Sequence, residues 1–155
     1  MRKTSTKPSR AAGPGDAAYQ LDDQVGFLLR RAYQRASANL VERIGPYDLT
    51  PPQFATLARL CERGKVSQNL LGRLVVMEPA NIRDVVQRLK KRRLVATERD
   101  PGDGRQILVR LTPAGLSLIR ELMPVEVECT AKTLAPLDQA ERKLLYDLLR
   151  RLADG

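Results

Sequence analysis

The stretch Ala80-Asn81-Ile82-Arg83-Asp84-Val85-Val86-Gln87 sets amide and guanidinium groups among branched apolar residues. At helical spacing Ile82, Val85 and Val86 share one face, while Ala80, Asn81, Arg83, Asp84 and Gln87 fall opposite or beside it. Asn pairs bidentately with adenine and Arg with guanine, each pair discriminating by ~1–3 kcal/mol. The chemistry open to this face is therefore the reading of base edges; the plainer alternative is a solvated polar face. Asp84 would repel phosphate, so its expected role is to orient Arg83 or Arg88. Upstream, Ser67 and Gln68 open a shorter helical stretch whose N-terminus could hold a phosphate. Lys90-Lys91-Arg92-Arg93 closes the longer one. Cations there suit the helix macrodipole, and only Lys90 is carried forward as a nucleic-acid contact.

Charge places the same chemistry. The 155 residues carry 27 Lys+Arg against 18 Asp+Glu, a net +9. Residues 83–110 hold nine basic and four acidic side chains, whereas residues 111–155 hold six and seven. A localised positive excess predicts a polyanionic partner, double-stranded nucleic acid first. Residues 1–20, with four basic side chains and one acidic, plus Pro8, Gly13, Pro14 and Gly15, read as a flexible basic arm. That arm either touches nucleic acid or has no role.

Other classes fall away. With no histidine, His-based triads, proton shuttles and His-ligated metal sites are excluded. Two cysteines, Cys61 and Cys129, are too few for a disulfide scaffold or a zinc cluster. No Gly-rich phosphate loop or paired-carboxylate site is recognisable, so no enzyme, cofactor or metal is expected. No apolar run approaches the ~20 residues that span a bilayer. No apolar segment follows the N-terminal charges, which points to the cytoplasm.

The elements that must position these groups follow from periodicity and caps. Leu21, Val25, Leu28, Ala32, Ala36 and Leu40 form the stripe of a long first helix ending near Gly45-Pro46. Thr50-Pro51-Pro52-Gln53 is a capping box for a second helix with Phe54, Leu57 and Cys61 inward. Ser67 caps a third helix, and Pro79 opens a fourth. Val95–Arg99 and 106–111 read as strands around the turn Asp100-Pro101-Gly102-Asp103-Gly104. Thr112-Pro113 opens a fifth helix, which Pro124 should kink or interrupt. Asp138 to Glu141 caps a leucine-striped sixth. This order predicts a mainly α fold with a small β-hairpin wing: a winged helix-turn-helix domain over 21–155, its DNA-binding lobe about 48–112, between N- and C-terminal interaction helices.

Three fragments resemble one family. Leu49-Thr50-Pro51-Pro52-Gln53-Phe54 is similar to the opening of the second helix in MarR-type regulators. Asp103-Gly104-Arg105 and Leu111-Thr112-Pro113-Ala114-Gly115 resemble their wing and the start of their fifth helix. The likeness runs from about Leu21 to Leu152. It implies a homodimer, packed through the first, fifth and sixth helices, on a pseudo-palindromic DNA operator. It implies that Arg105 enters the minor groove with Asp103 positioning it; Gly104 stands where a second basic residue is common in the family.

The resemblance further implies a small-molecule effector, commonly an aromatic acid, that disfavours the DNA-competent spacing. Phe27, Arg31, Tyr33 and Gln34 on the first helix, with Phe54 and Leu57 on the second, offer apolar surface and a guanidinium for an aromatic carboxylate. Core packing is the default for Phe27, Phe54 and Leu57. The run from Leu21 to Arg35 resembles regulators of aromatic-acid breakdown, of nicotinate type. The expected function is thus a ligand-released repressor. Two alternatives stay open: a thiol-oxidation sensor using Cys61 or Cys129, and a sequence-tolerant architectural DNA protein.

Overall fold

Thr50 and Asp138 each begin a helix as their spacing requires. The computed structural model describes residues 19–155, so the basic arm at 1–20 lies outside them except for its last two residues. Gln53 N–H donates to Thr50 Oγ1 (3.4 Å) and Thr50 N–H to Gln53 Oε1 (3.0 Å), a reciprocal box at the start of α2, Pro51–Arg63. The same pair of bonds, both 2.9 Å, joins Asp138 and Glu141 at the start of α6, Gln139–Asp154. Ser67 accepts from Leu70 N–H and caps α3, Gln68–Leu74. Pro79 stands at the start of α4, Pro79–Lys91.

The chain divides into two compact units, one ending at Tyr33 and one spanning Gln34–Gly155. The first helix, α1, is Val25–Ile44 and runs from one into the other. It starts four residues later than the stripe predicts. Leu21–Asp23 forms a separate 3₁₀ turn, and Gln24 breaks the helix with an extended backbone (ψ 125). A 3₁₀ turn at Gly45–Tyr47 then leads through Asp48 toward α2.

In the second unit β2 (Val95–Arg99) and β3 (Ile107–Leu111) form the expected hairpin, in the register Val95↔Leu111 to Arg99↔Ile107. A third strand, β1, adds Val66 and Ser67 antiparallel to the other edge of β3. Two residues are too few for any period to register. Helix α5, Pro113–Thr133, passes through Pro124 uninterrupted, so of the kink or interruption expected there the interruption is absent. Arg120 and Pro124 are both exposed, so the carbonyl that loses its donor can be hydrated instead of orphaned.

Phe54, Leu57 and Leu60 of α2 share a core with Leu71, with Ile82, Val86 and Leu89 of α4, with Val95 and Val109 of the sheet, and with Ile119 and Leu122 of α5. This core clamps α4 by one face only. At the start of α5, Thr112 Oγ1 accepts from Gly115 N–H (3.1 Å) and donates to the carbonyl of Arg93 (2.7 Å). A Cβ on Gly115 would overlap the carbonyl oxygen of Leu94, so glycine is required by close approach of two backbones.

Candidate nucleic-acid interface

Burial of Ile82, Val86 and Leu89 leaves Ala80, Asp84, Gln87 and Lys91 as the exposed stripe on the opposite side of α4. Arg83 and Lys90 flank it on one side, Asn81 and Arg88 on the other; all four are exposed. Seven proposed contacts (Ala80, Asn81, Arg83, Asp84, Gln87, Lys90 and, beyond the hairpin turn, Arg105) are therefore solvent-facing. Lys91 and Arg88 belong to the same exposed surface, which the sequence alone does not reveal for them. A basic run at a helix end looks uniform until the buried positions set the phase.

Asp84 corrects an expectation. Among the described residues it makes no ion pair or side-chain hydrogen bond, so it orients neither Arg83 nor Arg88. Its carboxylate stands beside an open groove of about 350 Å³ between α4 and the start of α2, bordered by Thr50, Pro52, Asn81 and Arg88.

The hairpin tip is organised by Asp103, though not as an ion pair with Arg105. The carboxylate accepts from the backbone N–H of Arg105 (3.1 Å) and from Gln106 Nε2 (3.2 Å). Asp103 thus shapes the turn by an Asx-type bond and leaves the Arg105 guanidinium without an ion pair among the described residues. Arg99 Nη1 donates to the Gly104 carbonyl (2.9 Å), closing the tip from the other side. Near the turn-side end of β2 the Lys65 ammonium donates to Glu98 (2.7 Å) and lowers the pKa of that carboxyl.

Ser67 and Gln68 are half-buried at the start of α3. The Ser67 oxygen is occupied as a cap, which leaves only its hydroxyl proton for an incoming phosphate. At the far end of α4, Arg92 donates to the carbonyls of Asp48 (2.5 Å) and Tyr47 (2.9 Å). The Tyr47 hydroxyl donates to Glu121 of α5 (3.0 Å), which pushes the phenol's pKa up. These bonds tie the exposed helix to the loop before α2 and to α5.

A helix held by one face, with a polar outer stripe and a basic hairpin beyond it, is the arrangement of a winged helix-turn-helix. A model described as the MarR family matches residues 47–106. The transcriptional repressor NicR of Pseudomonas putida is 36% identical over 97% of this chain and 96% of its own. The chain belongs to the MarR family. Among solved structures, a probable transcriptional regulator from Pseudomonas aeruginosa is 47% identical and superposes with a TM-score of 0.80, over 86% of this chain and 99% of that one. Bordetella bronchiseptica BpsR, described in terms of the regulation of its DNA binding by 6-hydroxynicotinic acid, is 39% identical with a TM-score of 0.85, over 90% and 99%.

The residues assigned to a MarR-type effector fare unevenly. Phe54 and Leu57 are sealed in the core of the second unit, 2% and 0% exposed, so core packing is their role. In the first unit Arg31 lies over the Phe27 ring (5.9 Å to the centroid) and pairs with Asp22 (3.3 Å). Tyr33 and Gln34 are exposed on α1. A groove of about 340 Å³ lined by Phe54, Ala58, Arg59, Val75, Glu62 and Glu126 repels a carboxylate, because Arg59 is already paired with Glu62 (2.6 Å). Of the thiols, Cys129 is buried and donates to the Asn39 carbonyl (3.3 Å), while Cys61 is half-buried at the core's edge. Among the described residues no helix is long and apolar enough to cross a membrane, and no group of three His, Cys, Asp or Glu could hold a metal ion.

Proposed function

We propose that the protein is a cytoplasmic, dimeric, sequence-specific repressor that a small aromatic carboxylate of the hydroxynicotinate class releases from its operator. The observation that carries this reading is the exposed outer stripe of α4, followed in the chain by a hairpin whose Arg105 is exposed and makes no ion pair among the described residues. Helix α4 enters the major groove with Asn81, Arg83 and Gln87 toward base edges, and Arg105 reaches the flanking minor groove. Ser67 and Gln68 approach a phosphate at the start of α3. A two-fold dimer presents two such helices, matching half-sites about one helical turn apart.

BpsR supports the effector class. Arg31 supplies the guanidinium and Phe27 the apolar ring. The exposed pair with Asp22 is worth under ~1 kcal/mol and exchanges readily for a ligand carboxylate. Ligand binding favours a spacing of the two winged lobes that no longer fits successive grooves.

The test is a mobility shift on DNA upstream of the protein's own gene, with 6-hydroxynicotinate, nicotinate and 4-hydroxybenzoate. Release by one of them, weakened by Arg31→Ala, is the expected result. Loss of operator affinity on Arg83→Ala or Arg105→Ala is expected as well. Unchanged affinity in both would overturn the docking, and equal affinity for scrambled DNA would favour an architectural protein.

A further inference from the structure

From residue 83 to residue 93 the chain carries six cations and one anion, Asp84. The anion occupies the middle of the exposed stripe, the position from which a groove-entering helix reaches farthest. Arg88 stands four residues on, in the favoured order for an intrahelical pair. Yet Asp84 has no ion pair or side-chain hydrogen bond among the described residues. A free carboxylate there weakens attraction to every phosphate within the ~10 Å Debye length. On a surface shaped for affinity alone it is a defect.

We propose that Asp84 is a specificity-determining residue that reads one cytosine in each half-site. This rests on the reading of α4 as the recognition helix and deepens it. A carboxylate only accepts hydrogen bonds, so its partners on a base edge are exocyclic amino groups: N4 of cytosine or N6 of adenine. The adenine amino group is flanked by the N7 acceptor, which repels a carboxylate, while that of cytosine neighbours a C–H. Cytosine is therefore the base that satisfies Asp84. At a half-site lacking it, the desolvated carboxylate is left unpartnered beside phosphates. Asp84 acts by penalising wrong sequences, and the surrounding cations supply the affinity common to all of them.

The experiment measures anisotropy of the full-length protein and its Asp84→Ala and Asp84→Asn variants on the bound operator. A set of operators with each base pair changed in turn, and unrelated DNA of equal length, complete it. Wild type is expected to lose ~5- to 150-fold in affinity when one C·G pair per half-site is changed, the equivalent of ~1–3 kcal/mol. Asp84→Ala flattens that one position to within twofold and binds unrelated DNA more tightly, and Asp84→Asn moves the preference there toward adenine. An unchanged base profile in Asp84→Ala overturns the proposal, as does loss of binding to all DNA by a variant with wild-type circular dichroism. A wild type with no base preference anywhere defeats the recognition-helix reading itself, so the two failures are told apart.

Discussion

Glu126 carries a residue-scale consequence of the packing. It is exposed overall, but its side chain lines the groove beside Phe54 and Ala58, where partial desolvation, and secondarily the charge of Glu62, pushes its carboxyl pKa up. A carboxyl raised in the folded state contributes stability while protonated and loses it as the pH rises through the raised value. At neutral pH the ionised Glu126 is therefore a burden that Gln would not carry. Glu126→Gln is expected to melt higher than wild type at pH 7, and the gap should close as the pH falls below the ordinary carboxylate range. Thermal melts at pH 7 and pH 4 decide it; a lower melting temperature for the variant at pH 7 would count against the assignment. Nothing in the sequence marks Glu126, because its partner Glu62 sits on another helix. The same limit hid the freedom of Asp84 and the backbone role of Asp103. Residue type announces which bonds a side chain can make, and only the fold settles which neighbours arrive.

At the scale of elements the local signals were legible wherever the physics was local. Capping boxes at Thr50 and Asp138, proline at the start of α4 and the turn chemistry of the hairpin all lie within four residues of what they control. Strand β1 was not legible, since Val66 and Ser67 are ordered by β3, over forty positions away in the chain. Pro124 does not interrupt α5, because the cost of a helical proline depends on whether the freed carbonyl meets water. The Thr112-Pro113-Ala114-Gly115 segment shows both kinds of signal at once: its cap is local, its glycine answers to Leu94. Gly115→Ala should therefore act beyond helix propensity, which by itself favours Ala by ~1 kcal/mol. The added methyl must displace the Leu94 backbone, and overpacking of this kind costs ~1–3 kcal/mol. Urea denaturation is expected to show net destabilisation with an unchanged slope. A variant more stable than wild type by that full ~1 kcal/mol would mean that α5 and the Leu94 backbone can separate at no cost, contrary to the bonds that Thr112 makes to the Arg93 and Leu94 carbonyls.

For the whole molecule the decisive feature is a helix whose apolar stripe stays exposed among the described residues. No residue of α6 is buried, and Leu144, Leu148, Leu149 and Leu152 are 58%, 42%, 38% and 65% exposed. Arg142 holds the helix at its corner through the carbonyls of Leu134 and Leu137, which fixes its start and leaves the stripe open. An amphipathic helix is stabilised mainly by burial of that face, and under the proposed dimer a second copy of the chain would cover it and also supply the second DNA-reading helix. The division of charge fits the proposed dimer, in which the slightly acidic C-terminal third would meet protein and the basic middle DNA. Leu148→Glu combined with Leu152→Glu places carboxylates in the stripe without touching α4 or the hairpin. Light scattering at micromolar concentration is expected to give a dimer for wild type and a monomer for the double variant. Operator affinity should then fall by ~10²–10⁴-fold, the advantage that linking two half-site contacts confers, while binding to an isolated half-site stays unchanged. Losing dimerisation and half-site binding together would trace the defect to folding, and a double variant that remains dimeric would put the interface elsewhere.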